Sequence, residues 1–374
     1  MLRIIVSILG VLGIVQVQAT PQTIKLESKL ATRDTSIKRR ALNPTTYLSE
    51  HVNSLLVGTP PQTVSVVFDT GSSTLEFAST LCPTCASQVQ FDSTKSSTFR
   101  DGGSTRTITF STGVGVDPVV GNNYQLTLRS ATDTVSVGGL TAPGVSLFLI
   151  TKQTPTFNID PFSGIQGMST SAQGFFASLV NQGLPSLFSL YLTPLAVGNA
   201  EMTIGGIDST KFTGTPVFAS LAATTAAWQL NSPGLSVNGK TNSLLSQPRR
   251  IIFDSGTSNV LFPINVTEAI YALISPDIKP NPDEPGTYGI ACNRISSLPA
   301  VIDITFTSQS GTPFNLTIPS SELSVGPFAS DPSTCQTLIN GFNGLNLVGG
   351  SLLKHWYSIW DVGGQRMGFA PARL

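Results

Sequence analysis

Two short stretches of this chain repeat each other almost letter for letter. Phe68-Asp69-Thr70-Gly71-Ser72-Ser73 returns 185 residues later as Phe253-Asp254-Ser255-Gly256-Thr257-Ser258. A second element, Gly164-Ile165-Gln166-Gly167, returns as Leu347-Val348-Gly349, its last glycine displaced by 182 residues. One Asp-hydroxyl-Gly match arises readily by chance, but two different motifs repeating at nearly one offset indicate two related halves. At 374 residues the chain is long enough for each half to bury its own core.

The runs around these motifs read as strands. Val64–Phe68, Thr105–Phe110, Tyr124–Leu128, Thr134–Val137, Val145–Ile150, Ile251–Phe253, Val301–Phe306 and Tyr357–Trp360 are rich in β-branched or aromatic residues, with Gly, Pro, Asn and Asp between them. Helical signals are confined to Gly174–Asn181 and to Val266–Ile274, the latter bounded by Pro263 and Pro276. The fold class is therefore all-β. The expected division is an N-terminal β-lobe over residues 41–224 and a C-terminal β-lobe over 225–374.

Charged residues are 11% of the chain and apolar ones 40%, which excludes a disordered protein. Residues 1–40 hold seven Lys/Arg against Glu27 and Asp34, leaving 14 basic and 19 acidic residues in 41–374. An acidic body argues against nucleic acid as a partner, because binding phosphates needs a basic face. Arg3, the apolar run Ile4–Val15 and the small-residue ending Val17-Gln18-Ala19 read as a signal peptide over 1–19 and imply secretion. That run is too short to span a bilayer, and no membrane partner is expected. Residues 20–40 end in Lys38-Arg39-Arg40 and read as a basic propeptide whose cations neutralise an acidic cleft until its removal; a solvated tail is the rival reading.

Four cysteines in a secreted chain suggest two disulfides, and proximity favours Cys82–Cys85 and Cys292–Cys335 among the three connectivities. A zinc site does not fit cysteine pairs more than 200 residues apart in a chain with two histidines. A redox role for Cys82-Pro83-Thr84-Cys85 would need a helix N-terminus to lower the thiol pKa, and its surroundings are loop and strand. Asn265-Val266-Thr267 and Asn315-Leu316-Thr317 are glycosylation sequons.

A buried run ending in Asp-hydroxyl-Gly brings a carboxylate to the edge of a core, where a tight turn can aim a backbone N–H at it. A single such loop is usually only a turn. Two related by pseudo-symmetry would set both carboxylates at one interface, where like charges cannot both ionise cheaply and one proton is shared. The neutral member can then give a proton while the charged member takes one from a water. Such hydrolysis needs no nucleophilic side chain, metal or cofactor.

The chain resembles the pepsin-type aspartic peptidases over residues 47–374. Further landmarks are Val57-Gly58-Thr59-Pro60-Pro61-Gln62, Asn181-Gln182-Gly183-Leu184, Gly205-Gly206-Ile207-Asp208, Trp228-Gln229-Leu230, Ile295-Ser296-Ser297-Leu298-Pro299 and Met367-Gly368-Phe369-Ala370-Pro371. The resemblance implies a bilobal fold with a cleft between the lobes, a monomer acting on polypeptides, and activity in acid. It makes Asp69 and Asp254 the catalytic pair. Ser72 and Thr257 would bond their outer oxygens, Gly71 and Gly256 would supply backbone amides, and Thr70 and Ser255 would tie the loops together.

The resemblance also implies a flap, matched by Ile108-Thr109-Phe110-Ser111-Thr112-Gly113. Phe110 stands where the family has Tyr, and Glu76 where that Tyr's Trp partner would be. Removing both partners of a hydrogen bond can cost little, but Glu76 then needs another partner or solvent. Gln166 likewise replaces a usually apolar residue. Val67, Phe110, Ser111, Phe162 and Ile165 would line the pocket beside the scissile bond, with core packing as the alternative and bulky hydrophobic residues as the expected preference. His51 and His355 read as structural. A non-catalytic binding protein or inhibitor on the same scaffold is the alternative function, favoured only by the altered flap. A two-carboxylate glycosidase gives no reason for matched loops.

Overall fold

A computed structural model describes residues 21–30, 49–111, 119, 121–193, 198–222, 226–328 and 330–374. Residues 1–19, expected to be a signal peptide, the Lys38-Arg39-Arg40 triplet, and Thr112 and Gly113 of the expected flap lie outside them.

The sequence repeat is a structural repeat. The strand Gln62–Asp69 runs parallel to Gly164–Gly167 with Phe68 opposite Gln166. Its counterpart Arg249–Phe253 runs parallel to Leu347–Val348 with Phe253 opposite Val348. The next strand repeats as well: Leu75 faces Gln166 and Val260 faces Val348, both antiparallel. These pairings are related residue for residue by the 185 and 182 offsets of the two motifs.

Both halves are β-rich, and both contribute to one sheet of 13 strands. That sheet holds the described strands up to residue 224, the last of them Val217–Ser220, together with Trp356–Asp361 and Arg366–Pro371 of the C-terminal half, while three smaller sheets occupy residues 229–348. Aromatic packing closes the centre: Phe188 stacks on Trp360 at 5.8 Å, and Trp228 meets Trp360 edge-on at 5.3 Å. Helices Phe175–Asn181 and Ile264–Ile274 fall on the two stretches with helical signals.

Three local outcomes differ from the expectation. The expected strands Tyr124–Leu128 and Thr134–Val137 are, from Gln125 onward, one strand, Gln125–Val137. The Asp133 that reads as a break is buried within it, its Oδ1 accepting from Thr98 Oγ1 at 2.6 Å, Ser96 Oγ at 3.1 Å and Thr134 N–H at 2.8 Å. Second, part of the presumed propeptide is a strand, Gln22–Leu30, which pairs with Ala200–Ile204 on one side and Ser49–Val57 on the other. It buries Ile24 and Leu26, which is the apolar reason it enters the sheet. Third, Lys25 does not neutralise the cleft. It pairs with the buried Glu201, which also takes Lys211 at 2.9 Å.

The disulfides are Cys82–Cys85 and Cys292–Cys335. Both sequon asparagines, Asn265 and Asn315, are exposed. Among the described residues no helix is long and apolar enough to cross a membrane.

Candidate active site

Asp69 ends the strand Gln62–Asp69 and Asp254 follows Arg249–Phe253, and the two are only 7% and 5% exposed. The loops that follow are bonded reciprocally. Thr70 N–H donates to Ser255 Oγ at 3.0 Å, and Ser255 N–H donates to Thr70 Oγ1 at 2.9 Å. Each hydroxyl then donates to a carbonyl of the opposite strand, Thr70 Oγ1 to Phe253 at 3.2 Å and Ser255 Oγ to Phe68 at 2.7 Å. Serine at 255 therefore serves as threonine does at 70.

This clasp presses the carboxylates together. Gly71 N–H donates to Asp69 Oδ1 at 2.7 Å and Gly256 N–H to Asp254 Oδ1 at 2.9 Å. A Cβ on Gly71 would stand 2.7 Å from Asp254 Cγ, and one on Gly256 2.5 Å from Asp69 Oδ1. Each glycine thus admits the carboxylate of the other loop, which no residue with a side chain allows. Burial, and then the neighbouring Asp69 charge and the hydrogen bond between the two, hold the Asp254 carboxyl well above the usual range. The pair therefore holds one proton into a pH range where an ordinary carboxyl has lost it.

The support is not symmetric. Thr257 Oγ1 donates to Asp254 Oδ2 at 2.7 Å, as expected. Ser72 Oγ is buried with no hydrogen-bond partner, so the expected bond to Asp69 is not made. Behind the first loop, Asp69 C=O accepts from Met168 N–H at 2.7 Å, and Met168 C=O accepts from Trp228 Nε1 at 2.8 Å. Replacing Ser255 with Ala leaves a buried N–H at Thr70 and a buried C=O at Phe68 without partners. We expect a loss of about 2 kcal/mol in the unfolding free energy, read from a lowered urea midpoint. We also expect a drop of more than about tenfold in kcat, because the loops are released.

The carboxylates face a cavity of about 440 Å³. Its first wall comprises Ser73, Thr74, Glu76, Arg106, Ile108, Phe110 and Ser111, and its second wall Ala227, Ile252, Leu345 and Leu347. Of the expected pocket residues, Phe110 and Ser111 line this cavity. Val67, Phe162 and Ile165 do not; they form a small buried apolar cluster on which Phe110 packs. Phe110 also meets Phe157 edge-on at 5.7 Å, so apolar packing holds the chain just beyond the strand Arg100–Thr109.

Gln166 is fully buried yet satisfied. Its Nε2 donates to Gly167 C=O at 2.8 Å, and its Oε1 accepts from Phe175 N–H at 3.3 Å, at the start of the helix Phe175–Asn181. Glu76 is the opposite case. It has no exposed surface, and neither carboxylate oxygen makes a well-formed hydrogen bond, although the Thr74 hydroxyl stands close by. Burial pushes its carboxyl up to about 8, Asp69 pushes the same way, and Thr74 and Arg106 oppose only in part. His355 lies outside this site and meets the buried Glu322 at 2.9 Å; the His51 side chain is not among those described.

The model of the family described as eukaryotic aspartyl protease matches residues 50–372. Pepsin-2B of Gadus morhua is 31% identical over 337 residues, covering 87% of this chain and 96% of its own length. Pepsin A of Sus scrofa is 31% identical, covering 86% of this chain and 81% of its own. Rhizopuspepsin-4 of Rhizopus niveus is 29% identical, covering 86% and 77%.

Proposed function

The chain belongs to the eukaryotic aspartyl proteases and is an aspartic endopeptidase acting on polypeptides; from that premise we propose that Asp69 and Asp254 are its catalytic pair. The ionised member takes a proton from a water held between them as that water attacks the scissile carbonyl. The protonated member gives its proton to the carbonyl oxygen, and the tetrahedral intermediate then collapses with protonation of the leaving amine. The observation that supports this most is the reciprocal clasp of Thr70 and Ser255, which brings two buried carboxyls against each other where they share a proton.

The enzyme works in acid, because the shared proton is lost as pH rises through the raised pKa of the pair. Bulky hydrophobic residues flank the preferred bond, in keeping with Ile108, Phe110, Ile252 and Leu347 on the cavity walls. The protein is secreted, glycosylated at Asn265 and Asn315, and monomeric, and it is made as a zymogen whose segment 20–40 inhibits it until cleavage at Lys38-Arg39-Arg40. Its lobes divide near residues 224 and 225.

The test is hydrolysis of an acid-denatured protein by the processed enzyme across acidic and neutral pH, with and without a statine-type transition-state mimic. Turnover confined to acid and abolished by the mimic is expected. A folded, fully processed sample with no activity at any pH refutes the proposal.

A further inference from the structure

Glu76 is the feature the catalytic reading leaves unused. It lies on the strand Leu75–Ala78, beside Ile165 on one side and Phe148 on the other. It lines the cleft, has no exposed surface, and neither oxygen has a well-formed hydrogen bond. A buried polar group left in that state is destabilising, so an occupant that completes it is favoured.

Arg106 supplies the other half. It sits on the strand Arg100–Thr109 and also lines the cleft, its guanidinium lying 4.2 Å from the centre of the Phe148 ring. Since Phe148 is the ladder neighbour of Glu76, the cation and the carboxyl share one patch of the first wall. Arg106 acts on Glu76 only as the weakest of its electrostatic influences, and no ion pair joins them. A guanidinium offers donors only, whereas a protonated carboxyl offers one donor and one acceptor.

Resting on the peptidase reading above, we propose that Glu76 and Arg106 form a specificity-determining subsite of the cleft that takes an uncharged carboxamide side chain, Gln or Asn, of the substrate. The carboxamide oxygen accepts from Arg106 while its NH₂ donates to Glu76. A Lys or Arg side chain is disfavoured by the Arg106 cation, and a hydrocarbon side chain leaves both polar groups unpaired. Glu76 stays protonated through the acidic range, so it does not act there as an anion that selects cations. Ile108 and Phe110 hold the apolar stem of the bound side chain.

The experiment is a cleavage profile on a peptide mixture randomised at each position flanking the scissile bond, run with wild type, Glu76→Leu and Glu76→Gln. Wild type should prefer Gln or Asn over Leu or Met at one position by about tenfold or more, since a hydrogen-bonding site discriminates strongly against an analogue that leaves it unpaired. Glu76→Leu should bring that ratio near unity, and Glu76→Gln, which keeps a donor and an acceptor, should retain most of it. An unchanged ratio in Glu76→Leu, or a wild-type preference for Lys or Arg at that position, overturns the proposal. Should Glu76→Leu fail to fold, Arg106→Met, altered at an exposed residue, must lower the same ratio, and an unchanged ratio there is equally fatal. A folded wild type with no acid hydrolysis refutes the peptidase reading itself and this one with it, whereas normal hydrolysis with an indifferent profile refutes this one alone.

Discussion

An Asp254→Asn enzyme is expected to lose at least about 10³-fold in kcat/KM while remaining folded, with a thermal midpoint no lower than that of wild type. The fold survives because the amide retains the acceptor for Gly256 N–H, and because the Thr257 hydroxyl rotates to accept where it now donates. The substitution also removes a carboxyl whose charged form is opposed by burial and by Asp69. Chemistry does not survive, since an amide neither shares the proton nor passes it to the scissile carbonyl. Activity of Asp254→Asn within tenfold of wild type, measured on protein whose circular dichroism matches wild type, refutes the pair. Asp69→Asn should be as inactive, because general acid and general base act as one unit and neither is dispensable.

The part of this site that was legible is the part backbone geometry dictates. Asp-hydroxyl-Gly works only with a buried strand before it and a side-chain-free residue against the opposite carboxylate, so the letters cannot drift far, and their repeat exposed the architecture. The same repeat also contained residues that were overlooked. Val67 and Ile165 were expected at the pocket, yet their counterparts at the 185 and 182 offsets, Ile252 and Leu347, are the ones that line the cavity. Pseudo-symmetry locates backbone positions. It does not say which side chain remains open to the cleft once Phe110 covers one copy.

Arg106 was overlooked for a different reason. It shares the strand parity of Ile108 and Phe110, and all three face the cleft, which period-two alternation would have indicated. A lone cation in a polar strand gives no other signal. Gln166 and Glu76 show the limit from the other side. Both are polar residues where the resemblance implies apolar ones, and nothing in the letters distinguishes the satisfied amide from the unsatisfied carboxyl. That difference is decided by Phe175 N–H and Gly167 C=O, which tertiary structure alone brings to Gln166.

The second large effect concerns stability against pH, and Glu76 sets its sign. The Glu76 carboxyl is raised from 4.5 to about 8 in the folded protein. Its contribution to stability is complete below pH 4.5, where folded and unfolded chains both hold the proton. As pH rises from 4.5 towards 8 the unfolded chain releases its proton and the folded one does not, so stability falls with pH across that window. At 1.36 kcal/mol for each pH unit of difference, the fall is on the order of 4 kcal/mol by pH 8. Asp254 is raised as well and contributes in the same direction. The contrary trend, lost stability below the usual carboxylate range, comes from surface aspartates such as Asp101 and Asp331, which hydrogen bonds hold low. Urea unfolding at pH 4.5, 6 and 8 should therefore show wild type weakening steadily. Glu76→Gln, which cannot ionise, should lie near wild type at pH 4.5 and exceed it by a margin that grows to several kcal/mol at pH 8. Its residual slope reports Asp254. Removing Arg106, which opposes the shift, should steepen the wild-type decline at its upper end. Parallel curves for wild type and Glu76→Gln would mean that the Glu76 carboxylate finds a partner when it ionises, and that this side chain is no obstacle to the enzyme above acidic pH.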